Sequence, residues 1–147
     1  MSVSITRPEW APATTAQAES ADERLVLDLM SALSTRDAQG LRSFFSEDAA
    51  YQNMPLPPAH GIEAVVATLE LLLSVMVIEE VETLHVASRD GVVFTERIDR
   101  LTARPTGRTF DLPVTGVCRV RDGLITQWRD YFDLRDFEEA TGFSLRG

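Results

Sequence analysis

The chain carries a single cysteine, Cys118, among its 147 residues. No intrachain disulfide can form, and this usage fits a reducing, cytoplasmic setting. There is no run of about 18 apolar residues, which excludes a membrane-spanning helix. The stretch from Met1 to Gln17 lacks the apolar core of a secretory signal. Positive charge is scarce as well: 14 basic residues against 23 acidic ones leave a net charge of −9. Nucleic acid and anionic membrane surfaces are therefore poor partners, because no basic patch exists to neutralise phosphates. The two histidines, His60 and His85, have neither the HExxH nor the Cys/His spacing of a zinc site. A Gly-x-Ser-x-Gly elbow, a phosphate-cradling glycine loop, internal repeats and low-complexity tracts are all missing. Nothing calls for a metal or a cofactor. What remains is 44% hydrophobic and 25% charged, the composition of an ordinary globular domain long enough to bury a real core.

Organisation along the chain is uneven. Residues 1–19, with Pro8 and Pro12, read as an irregular arm that Trp10 anchors on the body or on a second subunit. A single domain is expected over 20–147. Ser20 followed by Glu23 forms a capping-box pattern, and Leu25, Leu29, Met30 and Leu33 then recur at helical spacing. Asp37 caps a second helix bearing Leu41, Phe44 and Phe45, expected to end near Ser46. A short extended stretch, 49–53, runs into the proline-rich segment 54–58. A third helix begins at Gly61, with Val65, Leu69, Leu72 and Leu73 on its apolar side. The second half is rich in β-formers. Runs over 77–88, 92–103, 108–120 and 124–133 are separated by Arg89-Asp90-Gly91, Pro105-Thr106-Gly107 and Asp122-Gly123 as hairpin turns. In the third run Phe110, Leu112, Val114, Gly116, Cys118 and Val120 share a face. Pro113 there implies an edge or a bulge, and Gly116 permits a sharp bend. A short helix from Asp136 to Thr141 closes the chain. The fold class is α+β: three amino-terminal helices followed by a curved, mixed or antiparallel sheet that wraps them.

Three places in this frame can carry chemistry. In the strand 95–101, Arg97 and Asp99 point the same way, alongside Thr95 and Leu101. Such a pair is either a solvated ion pair or an acid tuned by its guanidinium. Periodicity leaves the inward face open, because Val92, Phe94 and Ile98 on the opposite face compete for the core. In the last strand Leu124, Thr126, Trp128, Asp130 and Phe132 share one face, so Asp130 sits between two aromatics. A buried carboxylate there needs a hydrogen-bonding or ionic partner. It can equally be a structural aspartate. Tyr51 and Asn53 share a face just before the prolines and could position a water; they are equally consistent with turn chemistry. Together, two aspartates, an arginine and two neutral polar groups can run acid–base chemistry if one carboxyl keeps its proton while the other ionises.

Three segments in order, Tyr51–Pro58, Thr95–Asp99 and Trp128–Leu134, resemble the limonene-1,2-epoxide hydrolase family, and the similarity extends from about Ser20 to the carboxy terminus. The resemblance implies a cone-like pocket, on the fold shared with ketosteroid isomerases and SnoaL-type cyclases, and turns the Arg97/Asp99 face inward. It implies one-step hydrolysis of an epoxide, with no covalent intermediate and no cofactor. In that scheme Asp130, Tyr51 and Asn53 hold and deprotonate the water, Asp99 protonates the epoxide oxygen, and Arg97 bridges the carboxylates. It also implies a homodimer through the outer sheet face. The expected apolar wall comprises Met30, Leu33, Leu72, Met76, Ile78, Val81, Leu101, Leu112, Val114, Trp128, Phe132 and Phe137, and admits a small lipophilic epoxide. An isomerase or polyketide cyclase acting on a carbonyl compound, and a non-catalytic module for apolar ligands, are the alternatives on the same fold.

Overall fold

The computed structural model describes residues 7–145. The first six residues of the expected arm, and the last two of the expected domain, lie outside the described residues. From Arg7 to Glu19 the chain has neither helix nor strand. This segment lies along a later strand: Arg7 pairs with Glu82, the Thr15 hydroxyl donates to the same carboxylate at 2.7 Å, and Ala16 N–H donates to Thr83 O at 2.9 Å. Trp10 does not pack on the body of this chain, since 62% of it is exposed.

Helix α1 spans Ala21–Ala32. The Ser20 hydroxyl accepts from Glu23 N–H at 3.1 Å, and the Glu23 carboxylate reaches back to Glu19 N–H, one residue before the cap. Asp37 caps α2, Ala38–Leu41, through Gly40 N–H at 2.7 Å. That helix is shorter than expected. After one 3-10 turn at Arg42–Phe44 the chain is already extended, and strand β1 runs Phe45–Met54. The two phenylalanines that suggested a helical face are instead buried on either side of this junction. Strand β2 is only Ala59–His60, and α3 spans Ile62–Val75. Strands β3 (Met76–Arg89), β4 (Val92–Ala103), β5 (Thr109–Arg121) and β6 (Leu124–Tyr131) follow. Two of their turns use left-handed backbone at Asp90-Gly91 and Asp122-Gly123, as a type I′ hairpin needs. Helix α4, Leu134–Thr141, is capped by Asp133.

The sheet order is β2-β1-β6-β5-β4-β3, antiparallel except for the parallel pair of β1 and β6. The last strand therefore lies in the middle of the sheet. Pro113 falls where β5 has lost β6, whose pairing ends at Thr115↔Tyr131, so the missing donor leaves no gap in that ladder. Gly116, by contrast, is paired without a register shift on both sides, and its φ is not left-handed. No bulge sits there. The shift between β5 and β6 comes at Arg119/Val120, and it inserts Thr126 as an extra residue in β6. Ile125 and Trp128, on opposite faces by simple alternation, are consequently both buried, while Leu124 is partly exposed. Helices α1 and α3 pack with the sheet in one cluster that includes Leu29, Leu41, Val65, Ile125 and Trp128. A second cluster, Met76, Leu101, Leu112, Val114 and Phe137, forms towards α4. The site lies between the two.

Candidate active site

The ambiguity of β4 is resolved by burial: Thr95, Arg97, Asp99 and Leu101 face inward, and Phe94 faces out at 48% exposure. Ile98 is buried too, on the opposite face, which is why alternation could not choose. The Arg97 side chain is 1% exposed and gives four contacts to two carboxylates. Its Nε donates to Asp99 Oδ1 at 2.9 Å and its Nη2 to Asp99 Oδ2 at 3.3 Å. Towards Asp130 the bonds are Nη2 to Oδ2 at 2.6 Å and Nη1 to Oδ1 at 3.1 Å. A third donor reaches Asp130 from its own strand, the Trp128 indole N–H at 2.8 Å from Oδ1.

The two carboxylates are thus unequal. Asp130 accepts three N–H bonds, and Asp99 accepts two from one side of the guanidinium. Each N–H donor favours the ionised acceptor. Burial raises the Asp99 pKa above the ordinary carboxylate value, only partly countered by Arg97, and Asp130 adds to the rise. Burial pulls the Arg97 pKa down, but the two carboxylates more than reverse this and it stays raised. With Arg97 a cation, the three groups are net neutral when one of the two carboxyls holds a proton and the other does not.

Parallel pairing of β1 with β6 supplies the neighbours. Tyr51 is in register with Trp128, and Asn53 with Asp130. Tyr51 stacks on the Trp128 indole with ring centroids 4.2 Å apart, and Phe45 stacks on the same indole at 6.0 Å. Held by the two rings, the indole fixes the Asp130 carboxylate. The Tyr51 hydroxyl donates to Asn53 Oδ1 at 3.2 Å. Burial, and after it the charge of Asp130, raises the Tyr51 pKa, so the phenol stays protonated.

All five polar residues line one cavity of about 220 Å³. Ten of the twelve expected apolar residues line it as well: Leu33, Leu72, Met76, Ile78, Leu101, Leu112, Val114, Trp128, Phe132 and Phe137. Met30 and Val81 do not. They border a separate small space under the amino-terminal arm, with Thr15 and Thr83. Helical and strand periodicity marks a residue as inward-facing without saying which of two inward spaces it meets. Reading the sequence also missed the rim, where Leu56, Pro57, Leu71 and Leu145 line the cavity, with Leu71 65% exposed. An apolar residue breaking the helical stripe, as Leu71 does, was the available signal. Thr68 is the remaining polar lining residue, and its hydroxyl is already bonded to Ala64 O at 2.8 Å. Trp128 was expected only as wall; its N–H bond to Asp130 is an additional duty, legible in hindsight from their spacing of two on one strand.

Among the described residues no group of three or more His, Cys, Asp and Glu is placed to hold a metal ion. No helix among them is long and apolar enough to cross a membrane.

Comparison with known proteins follows the same lines. Residues 20–142 match the family described as limonene-1,2-epoxide hydrolase catalytic domain. Epoxide hydrolase EphG of Mycobacterium tuberculosis is 34% identical over 107 residues, which cover 73% of this chain and 70% of that protein. The solved structure of an M. tuberculosis LEH-like epoxide hydrolase superposes with a TM-score of 0.71 at 28% identity, covering 82% of this chain and 89% of that one. A putative isomerase from Bacillus subtilis superposes with a TM-score of 0.77 at 20% identity, covering 84% and 94%, and shows the shared fold alone.

Proposed function

The chain belongs to the limonene-1,2-epoxide hydrolase family, and on that premise we propose that it hydrolyses a small lipophilic epoxide, such as limonene-1,2-epoxide, to the vicinal diol. One observation carries the proposal: a buried guanidinium shared by two unequal carboxylates at the wall of an otherwise apolar cavity. Buried charge is expensive without a task. Here its task is to keep an acid and a base side by side.

In this reading Asp130, Asn53 and Tyr51 hold a water. Its oxygen attacks one epoxide carbon as Asp130 takes the departing proton. The carbon–oxygen bond on that carbon breaks, and Asp99 gives its proton to the oxygen that leaves it. Both events belong to one step, so no bond to the protein forms. The product leaves Asp130 protonated and Asp99 ionised, and exchange with solvent restores the resting arrangement. Ring strain makes a positioned water and a matched acid sufficient. Arg97 stays a cation throughout, stabilising whichever carboxylate is charged. The apolar wall selects by shape, and a methylene more or less changes discrimination by only about 1–3 kcal/mol.

Asp99→Asn and Asp130→Asn should each lower turnover of limonene-1,2-epoxide by about 10²–10⁴-fold while circular dichroism remains that of the parent. Parent-like turnover in either variant sinks the assignment. Turnover of enolisable ketones with none of any epoxide would move the chain to the isomerase class. A homodimer through the outer sheet face, where Phe94 and Tyr131 are exposed, is part of the same proposal. Sedimentation equilibrium giving twice the chain mass, and the monomer mass after Phe94→Glu, is the expected result.

A further inference from the structure

We infer that Gly116 is a positioning residue of this site: its missing side chain is the passage through which Arg97 crosses β5 to reach Asp130. Arg97 is on β4 and Asp130 on β6, with β5 between them. Neighbouring strands lie about 4.8 Å apart, so the guanidinium must span roughly two such spacings across the inward surface of β5. The residues in that path are fixed by register. Thr95 pairs with Gly116, and Gly116 pairs with Asp130, while Arg97 itself is opposite Val114.

Every other inward position of β5 from Leu112 to Val120 carries an apolar side chain, namely Leu112, Val114, Cys118 and Val120. The row is interrupted only under the guanidinium. A methyl carbon built on Gly116 would lie 2.5 Å from Arg97 Nη1, 2.9 Å from Asp130 Oδ1 and 3.0 Å from Thr95 Oγ1. The first two are closer than a side-chain carbon ever sits. The three nearest atoms all belong to polar side chains on the inward face. The backbone does not ask for glycine here, because the φ is ordinary and the pairing unbroken on both sides. Alanine would even suit a strand better, since glycine in a strand interior weakens it. Space for the bridge is what the position supplies.

A methyl at this point pushes the guanidinium back towards Asp99 and away from Asp130. Asp130 keeps Trp128 as a donor but loses its cation. The base is then poorly matched and the acid over-paired, although both carboxylates are still present.

The test is a cycle of Gly116→Ala and Arg97→Lys in the full chain. The lysine ammonium is smaller and makes no fork over β5. In the parent background Gly116→Ala should lower the unfolding midpoint by several degrees; added to Arg97→Lys it should lower it clearly less, since only the crowding with Asp130 Oδ1 and Thr95 Oγ1 remains. This half needs no substrate and holds whether or not the epoxide-hydrolase reading does. The kinetic half rests on that reading. There Gly116→Ala should reduce kcat by about 100-fold, the effect of a misplacement of about 1 Å, with KM little changed. The acidic limb of its pH–rate profile should move to higher pH, as it does when a cation is removed from beside an ionising carboxylate. If Gly116→Ala does not fold, recovery of folding in the double variant supports the passage. An equal loss of stability in both backgrounds overturns it, as does a Gly116→Ala enzyme with parent-like kcat and pH profile.

Discussion

Strand β4 carries two arginines three residues apart, one on each face of the sheet, and each is paired with aspartate. Inside, Arg97 and Asp99 are 1% and 11% exposed at the side chain, and the guanidinium is shared with Asp130. Outside, Arg100 grips Asp111 of the neighbouring strand with bonds of 2.8 and 3.0 Å, and the two are 12% and 28% exposed. The bonding chemistry is the same. In the outer pair Asp111 keeps a path to water, and the contact is a brace between β4 and β5. In the inner group water is withheld, a second carboxylate competes for the same cation, and the proton inventory becomes the variable. Geometry of a single ion pair therefore says little about function; the number of acids per cation, and the depth at which they meet, says more.

Removing the inner cation should break this contrast most severely. Arg97→Met leaves two facing buried carboxylates without a bridge, and should cost about 3–5 kcal/mol in stability, measured by urea unfolding, with loss of epoxide turnover. A milder change concerns the proton on Asp99. Its folded-state pKa is raised, chiefly by burial, so its contribution to stability is fully present below the unfolded value near pH 3.9 and is lost as pH rises through the folded value. The stability of the parent relative to Asp99→Asn should therefore fall with rising pH from about pH 4, by at most ~1.4 kcal/mol per unit, and then level off. Unfolding curves between pH 4 and 8 measure this, and a difference that grew with pH would reverse the assignment of the acid. Arg100→Gln should do least: turnover and pH profile unchanged, and only a slight drop in melting temperature, since pairs with access to solvent contribute little.

The two faces of β4 also show what could and could not be read in advance. Cap residues and turn dipeptides were legible because their chemistry is local: Ser20, Asp37, Asp90-Gly91 and Asp122-Gly123 act within a few residues. Alternation alone leaves the inward face of β4 open, because Ile98 is buried on the outer side, and only the family resemblance turns Arg97 and Asp99 inward. Arg97, Asp99, Asp130, Tyr51 and Asn53 were picked out by type and spacing, yet what joins them is the strand order, and no stretch of sequence states that β6 inserts beside β1. The bulge at Thr126 defeated simple alternation for the same reason, since it exists only in relation to β5. Met30 and Val81, expected in the apolar wall, border a separate space instead, which periodicity has no means to distinguish.

The central position of β6 has a temporal meaning. Two of the six polar groups of the site, Trp128 and Asp130, belong to the last strand of the sheet, and that strand must slot between β5 and β1, where Asp130 pairs with Asn53 from 77 positions earlier. Without β6, β1 has only the two-residue β2 as a strand partner, and Arg97 has only one of its carboxylates. Such long-range parallel pairing is slow to form. The reactive arrangement therefore requires both pairings of β6, and a chain that has acquired it has, by that fact, joined the two halves of its sheet.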